Sequence, residues 1–246
     1  MNFADYGPRA RVGVAVPQAN PTVEPEMREL LPATIGVYAT RLVHGAPNVE
    51  DRLLHYVTHI ADSIKSYGPM RLAAFGFGCT GSSYIVGAQR EDELTAAAAA
   101  ACMLPVVTAA QAIRQALAKL AARRIALVSP YPEALAESGY AYWRNADINV
   151  VHALRVAERL SDTHDIYELT SQDALRAINA VTKDDVDCIV VSGTGMPTLA
   201  ALRQRGCAAR GVPVISSNLC LAWSLLVCAA PELAPALPAG LIVAKP

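Results

Sequence analysis

Gly76-Phe-Gly-Cys79-Thr-Gly-Ser-Ser83-Tyr84 is the stretch on which the reading of this chain turns. The apolar run Leu72–Phe77 leads into it and a helical pattern follows. An apolar run of that length, closed by glycines and hydroxyls, reads as a buried strand turning into a helix. The glycines let the backbone approach a ligand closely. Amides at the start of the following helix favour an anion and lower the pKa of a thiol. Cys79 is therefore the candidate reactive residue, and Thr80, Gly81 and Ser82 are candidate anion contacts. A cysteine simply packed beneath the loop fits the same residues, because a free thiol behaves as a small hydrophobe.

Outward from this turn, short apolar runs alternate with helical periodicity. Arg11–Val16, Arg124–Ser129, Ile148–Ala153 and Cys188–Ser192 read as strands, and Val37–Leu42 and Pro213–Ser216 as weaker ones. Val49–Tyr67, Glu91–Ala101, Ala109–Ala122, Glu133–Asn145, Ser171–Val181 and Thr198–Arg205 read as helices. Continuous apolar strands between helices predict an α/β fold with parallel sheets flanked by helices.

The chain also echoes itself. Arg11-Val-Gly-Val-Ala-Val-Pro17 returns as Arg124-Ile-Ala-Leu-Val-Ser-Pro130, Phe77-Gly-Cys79-Thr80 as Val191-Ser-Gly193-Thr194, and Pro105-Val-Val-Thr108 as Pro213-Val-Ile-Ser216. Three landmarks recur in one order, roughly 110 residues apart, as an internal repeat would give, although an apolar strand followed by a Gly or Pro turn is common enough in α/β chains to recur by chance. Two similar lobes would face each other across one cleft, lined by strand-end loops, with Cys79 and Gly193 as pseudo-symmetric partners.

Four further loops fall beside that cleft. Pro17-Gln-Ala-Asn20 follows the first strand, and the Asn20 amide can donate to a carboxylate. Thr22 reads as a helix N-cap, with Glu24 and Glu26 complementing the helix dipole. In the second half Tyr131 offers a phenol as hydrogen-bond or proton donor, although an ordinary packed tyrosine fits as well. Ser192-Gly193-Thr194 and Ser216 complete the set, again with hydroxyls and glycines suited to a carboxylate.

Composition narrows the rest. The chain has 246 residues and a formal charge of -1, giving no general electrostatic case for nucleic acid or anionic membranes. No apolar run approaches the ~20 residues of a membrane span, and Met1–Arg11 lacks a signal core, so a cytosolic protein is expected. Its six cysteines form no CxxC pair and most read as buried structural thiols. The histidines do not cluster at ligand spacing, His55 and His59 reading as a solvated helix face, so no metal site is expected. GxxxxGK[ST] does not occur, and Gly76-Phe-Gly-Cys-Thr-Gly81, although it has the GxGxxG spacing, is read as the turn that carries the thiol, so no nucleotide or flavin cofactor is expected.

The pattern Val16-Pro-Gln-Ala-Asn20-Pro-Thr-Val-Glu-Pro-Glu26, followed by Gly78-Cys79-Thr80-Gly-Ser-Ser-Tyr84, resembles the maleate cis-trans isomerase and arylmalonate decarboxylase branch of the Asp/Glu racemase superfamily. The resemblance runs from Arg11 to about Ala230. It implies two pseudo-symmetric lobes, residues 1–112 with 219–246 and residues 113–218, around a cofactor-independent site. It further implies Cys79 as the nucleophilic thiol, and Asn20, Tyr131 and the Thr80 region as contacts of a small carboxylate. Together with the loops read above, Cys79 and Tyr131 are the candidate catalytic residues, and Pro17, Asn20, Thr80, Gly81, Ser82, Gly193, Thr194 and Ser216 the candidate substrate contacts. A homo-oligomer is expected by the same analogy.

One departure matters: the second family cysteine aligns with Gly193. Two-base racemisation, which needs a donor and an acceptor on opposite faces, is thereby disfavoured. Covalent isomerisation of a small unsaturated dicarboxylate by Cys79 is the leading expectation. Decarboxylation with Cys79 as proton donor comes second, and a non-catalytic carboxylate-binding protein third.

Overall fold

The computed structural model describes residues 5–157, 160, 162–181, 185–205, 208–209 and 211–243. The first half runs β1 (Ala10–Pro17), α1 (Val23–Leu30), β2 (Ile35–Leu42), α2 (Val49–Thr58), α3 (Ile60–Lys65), β3 (Ala74–Phe77), α4 (Thr80–Cys102), β4 (Val106–Thr108) and α5 (Ala109–Lys119). The second runs β5 (Arg124–Ser129), α6 (Glu133–Asn145), β6 (Asn149–Arg155), α7 (Ser171–Ala180), β7 (Cys188–Val191), α8 (Leu199–Arg205), β8 (Ala208–Ala209) and β9 (Val212–Ser216). Helices α9 (Ser217–Ala229) and α10 (Gly240–Val243) follow.

Two sheets result. Strands of the first are ordered β2-β1-β3-β4, and those of the second β6-β5-β7-β9, with β8 on the outer edge. All pairings are parallel except the short antiparallel β8–β9 contact. The same strand order appears twice, so the echoed landmarks occupy equivalent places. Central strands such as β3 and β7 are buried along their whole length, which is why they read as unbroken apolar runs. In each sheet the chain order reverses beside the first strand. The carboxyl tips of β1 and β3, and of β5 and β7, therefore flank a crevice where ligands of such sheets bind.

Helix α9 is buried on every side from Ser217 to Leu226. It lies on β3, where Leu221 and Leu225 come against Gly76. A helix apolar all round shows no stripe, so periodicity gives no sign of it. The single helix expected over Val49–Tyr67 is instead interrupted at His59. There the Thr58 hydroxyl donates to the Leu54 carbonyl at 2.9 Å, and the His59 ring Nδ1 lies 2.9 Å from the His55 carbonyl oxygen. Such side chains compete with the backbone for helix carbonyls. Helix α4 also breaks, at Gly87 (φ 77°, ψ 163°), a conformation essentially restricted to glycine.

The thiols follow the expectation in part. Cys79, Cys188 and Cys220 are buried, Cys102 is half-buried, and Cys228 is exposed. Cys207 lies outside the described residues. Among the described residues no helix is long and apolar enough to cross a membrane, and no group of His, Cys, Asp or Glu is arranged to hold a metal ion.

Candidate active site

A cleft of about 340 Å³ opens at the strand tips. Cys79 lines it, as do Pro17, Asn20, Gly81, Tyr131 and Thr194. Loops that are remote in sequence, after β1, β3, β5 and β7, thus meet around one cavity.

Cys79 sits at the N-cap position of α4, in extended conformation (φ −139°, ψ 91°). The Ser82 hydroxyl donates to its Sγ at 3.2 Å. Burial pushes the thiol pKa up, against the pull of Ser82, the amides of Ser82 and Gly81, and the Arg52 guanidinium. The amides and hydroxyl expected to favour the thiolate are therefore present, but desolvation outweighs them and the net shift is upward.

Asn20 is almost fully buried. Its Oδ1 accepts from the amides of Thr22 at 2.9 Å and Val23 at 3.3 Å. Asn20 thus does the capping work that the sequence suggests for Thr22, whose own hydroxyl donates to the Gly195 carbonyl at 2.7 Å. With Oδ1 committed, Nδ2 is left to donate, and it reaches the Thr194 hydroxyl at 3.4 Å. Nδ2 carries two hydrogens, so a donor remains for a ligand. Thr194 in turn donates to the Gly78 carbonyl at 2.7 Å, tying the two strand-end loops together. Arg41 braces the Asn20 loop from outside, donating to the Asn20 carbonyl at 2.9 Å and pairing with Glu24.

Tyr131 is buried, its pKa held well above 10 first by desolvation and then by the neighbouring Cys79, while Thr80 hydrogen-bonds it. It stays a neutral donor at any ordinary pH. Thr80, Ser82, Gly193 and Ser216 stand behind the lining residues. Thr80 donates to Ser217 Oγ at 3.1 Å. The Ser216 hydroxyl accepts from the Leu219 amide at 3.3 Å and from Thr198 at 2.9 Å, capping α9. The Gly193 amide donates to Ser217 Oγ at 3.0 Å. These groups shape the wall, and the amide of Gly193 is already taken.

Glu26 does more than complement its own helix. It is buried and crosses to the second half, accepting from the amides of Thr198 at 2.6 Å and Leu199 at 3.0 Å, where α8 begins, and from Asn218 Nδ2 at 2.8 Å. Burial raises its pKa against these bonds.

Several cleft residues escape the sequence reading, among them Arg52, Tyr56, Tyr167, His44, Thr163 and His164. Burial raises the pKa values of Tyr56 and Tyr167, and proximity to Cys79 raises them further. Arg52 and Tyr56 lie four apart on α2, whose N-cap Asn48 accepts from the Asp51 amide at 2.7 Å, so both point to one side. That spacing is visible in sequence, but nothing there says which surface the helix faces. The His55 and His59 rings are not merely solvated: His44, His55 and His59 stack with successive centroids 3.9 Å apart.

Two repeated parallel sheets, with a thiol at one strand tip and hydrogen-bond donors at the others, define an α/β protein built around a cysteine site at its strand ends. The chain belongs to the arylmalonate decarboxylase family, whose family model matches residues 12–239. It is 29% identical over 234 residues to a maleate isomerase of Nocardia farcinica, covering 88% of each chain. A solved variant of the Nocardia farcinica maleate cis-trans isomerase, with a cysteine changed to serine and a covalently bound succinylcysteine intermediate, superposes with a TM-score of 0.80. It is 24% identical, with 96% of this chain and 99% of that one covered. A glycine-to-cysteine variant of arylmalonate decarboxylase, with sulfate associated, gives 0.71 at 25% identity, covering 89% and 93%.

Proposed function

We propose that this protein is a cofactor-independent isomerase of a small unsaturated dicarboxylate, maleate-like, with Cys79 as covalent nucleophile. The observation that carries the reading is the Cys79 thiol at the head of α4, in one cleft with Asn20, Thr194 and Tyr131. The Cys79 sulfur adds to one alkene carbon and the π pair moves to its neighbour, delocalised into the attached carboxylate. The thiol proton passes to that carbon, Tyr131 giving up its own proton as it takes the one from sulfur. The former double bond is now single and rotates. Tyr131 then takes a proton back from that carbon as it gives its own to the sulfur; the carbon–sulfur bond breaks, the thiol is restored and the alkene re-forms in the trans geometry. The Nocardia relative supports the addition step with one thiol, since its succinylcysteine is present in a chain with a cysteine replaced.

In this reading Pro17, Asn20, Gly81 and Thr194 contact the substrate, and Thr80, Ser82, Gly193 and Ser216 support that wall. Residues 1–112 with 219–246 form one lobe and 113–218 the other, consistent with α9 lying on β3. The protein works in the cytoplasm as a homo-oligomer. The second reading is decarboxylation of a prochiral malonate, favoured by the match to the decarboxylase family. Cys79 would then protonate the enediolate from the face opposite to a thiol at Gly193.

The test is a screen of maleate, arylmalonates and small amino acids in deuterated water. Conversion of maleate to fumarate, abolished in Cys79→Ala with an unchanged circular dichroism spectrum, is the expected result. Carbon dioxide release from an arylmalonate, without isomerisation, would replace the first reading by the second. Full activity of Cys79→Ala would remove both.

A further inference from the structure

The cleft is chemically lopsided. Its buried wall carries Asn20, Thr194, Tyr131 and the Cys79 thiol, all neutral donors or acceptors at ordinary pH. No acidic side chain lines it among the described residues, and one permanently charged cation does: Arg52. That guanidinium is not at the solvent boundary by accident of length, since only 12% of its side chain is exposed.

Arg52 is also under-used. Its Nη2 reaches Asp162 Oδ1 at 3.4 Å and Thr163 Oγ1 at 3.3 Å, both at the long end of hydrogen bonding. Asp162 has other claims on it: the His164 amide donates to the same oxygen at 2.9 Å, and the His164 ring Nδ1 lies 3.3 Å away. A guanidinium is a planar fork that matches a carboxylate with two parallel hydrogen bonds. Here the fork is held in a cavity by one weak, shared pair.

We propose that Arg52, with Thr163 beside it, forms a second anion subsite of the cleft, holding the carboxylate remote from the one bound by Asn20 and Thr194. The site then selects dianions whose two carboxylates are separated along a short chain over monoanions of the same length. This deepens the dicarboxylate reading and rests on it for the reaction, but binding alone tests it. The separation matters chemically. One carboxylate must remain among neutral donors to accept the electron pair, while the other is anchored by charge, so that the bond between them turns about a fixed end.

The experiment is protection of Cys79 from alkylation by iodoacetamide, using succinate and butanoate as probes with the full-length protein. In the wild type, succinate should protect at a concentration tenfold or more below that of butanoate. Arg52→Gln should erase that difference while leaving butanoate protection in place, which also shows an intact cleft. Arg52→Lys should restore part of it, because charge is kept and the fork is lost. Where turnover is seen, Arg52→Gln should raise KM for the dianion at least tenfold with a smaller change in kcat. Equal protection by the two acids in the wild type, or equal loss for both in Arg52→Gln, overturns the proposal. Absence of maleate turnover with succinate selectivity retained would instead remove the isomerase reading and leave this subsite standing.

Discussion

The Ser82 hydroxyl donates to the Cys79 sulfur from one turn further along the same helix, 3.2 Å away. The contact opposes the main force on this thiol. Burial raises the Cys79 pKa, and Ser82 is the foremost of the groups that lower it. A hydrogen bond to a charged acceptor contributes about 1.5–3 kcal/mol, and 1.36 kcal/mol corresponds to one pKa unit.

Removing the hydroxyl should therefore leave Cys79 less ionised at a given pH. In Ser82→Ala the rate of Cys79 alkylation at neutral pH should fall roughly tenfold to a hundredfold. Its pH profile should move to higher pH, with the same plateau once the thiol is fully ionised. A profile that does not move would mean that Ser82 only packs against the sulfur.

The turn that holds these two residues was legible because its chemistry is local. An apolar strand, glycines and a run of hydroxyls at Gly76–Ser83 predict a strand-to-helix turn, and α4 begins at Thr80. The repeat was legible for a related reason: parallel strands buried on both faces leave unbroken apolar runs that can be compared. What escaped depends on long-range placement. Arg52 looks like any charged residue on an amphipathic helix until α2 is seen to face the cleft. Tyr167 lies in a short 3-10 turn (Asp165–Glu168) with no periodic signal. Glu26 follows a cap position as an acid should, yet it serves the start of α8, some 170 residues away.

Glu91 offers a test of the buried electrostatics through pH. It is fully buried on α4 and accepts hydrogen bonds from the Thr108 and Tyr142 hydroxyls, with Arg114 Nη2 at 3.4 Å. Burial raises its pKa above the usual 4.5, against these partners. A carboxyl group with a raised folded pKa adds its full stability below its unfolded value, and that contribution is lost as pH rises through the folded value. In Glu91→Gln the side chain is neutral at every pH. The urea midpoint of the wild type, relative to this variant, should therefore be most favourable near pH 4 and decline toward neutrality. A difference that grows as pH rises would show that the ion pair with Arg114 outweighs the burial.

Gly193 decides whether the missing second thiol can be restored. Alignment alone suggests that a cysteine there, opposite Cys79, would supply the second acid–base group and bring in racemisation. The backbone argues otherwise. Gly193 has φ 96°, and a Cβ built on it would come within 2.8 Å of Pro130 Cγ and 3.0 Å of Pro130 Cδ. Left-handed backbone at a residue with a side chain costs on the order of 1–3 kcal/mol, and the proline ring offers little room to give. The Gly193 amide is also committed to Ser217, so relaxing the turn would disturb the Ser217–Thr80 contact next to the site. Gly193→Cys should accordingly lower stability by about 1–3 kcal/mol in urea denaturation. It should show no deuterium exchange at the α-carbon of aspartate or glutamate. Exchange appearing in a variant as stable as the wild type would mean that this turn adopts, once substituted, a backbone that an L-residue tolerates.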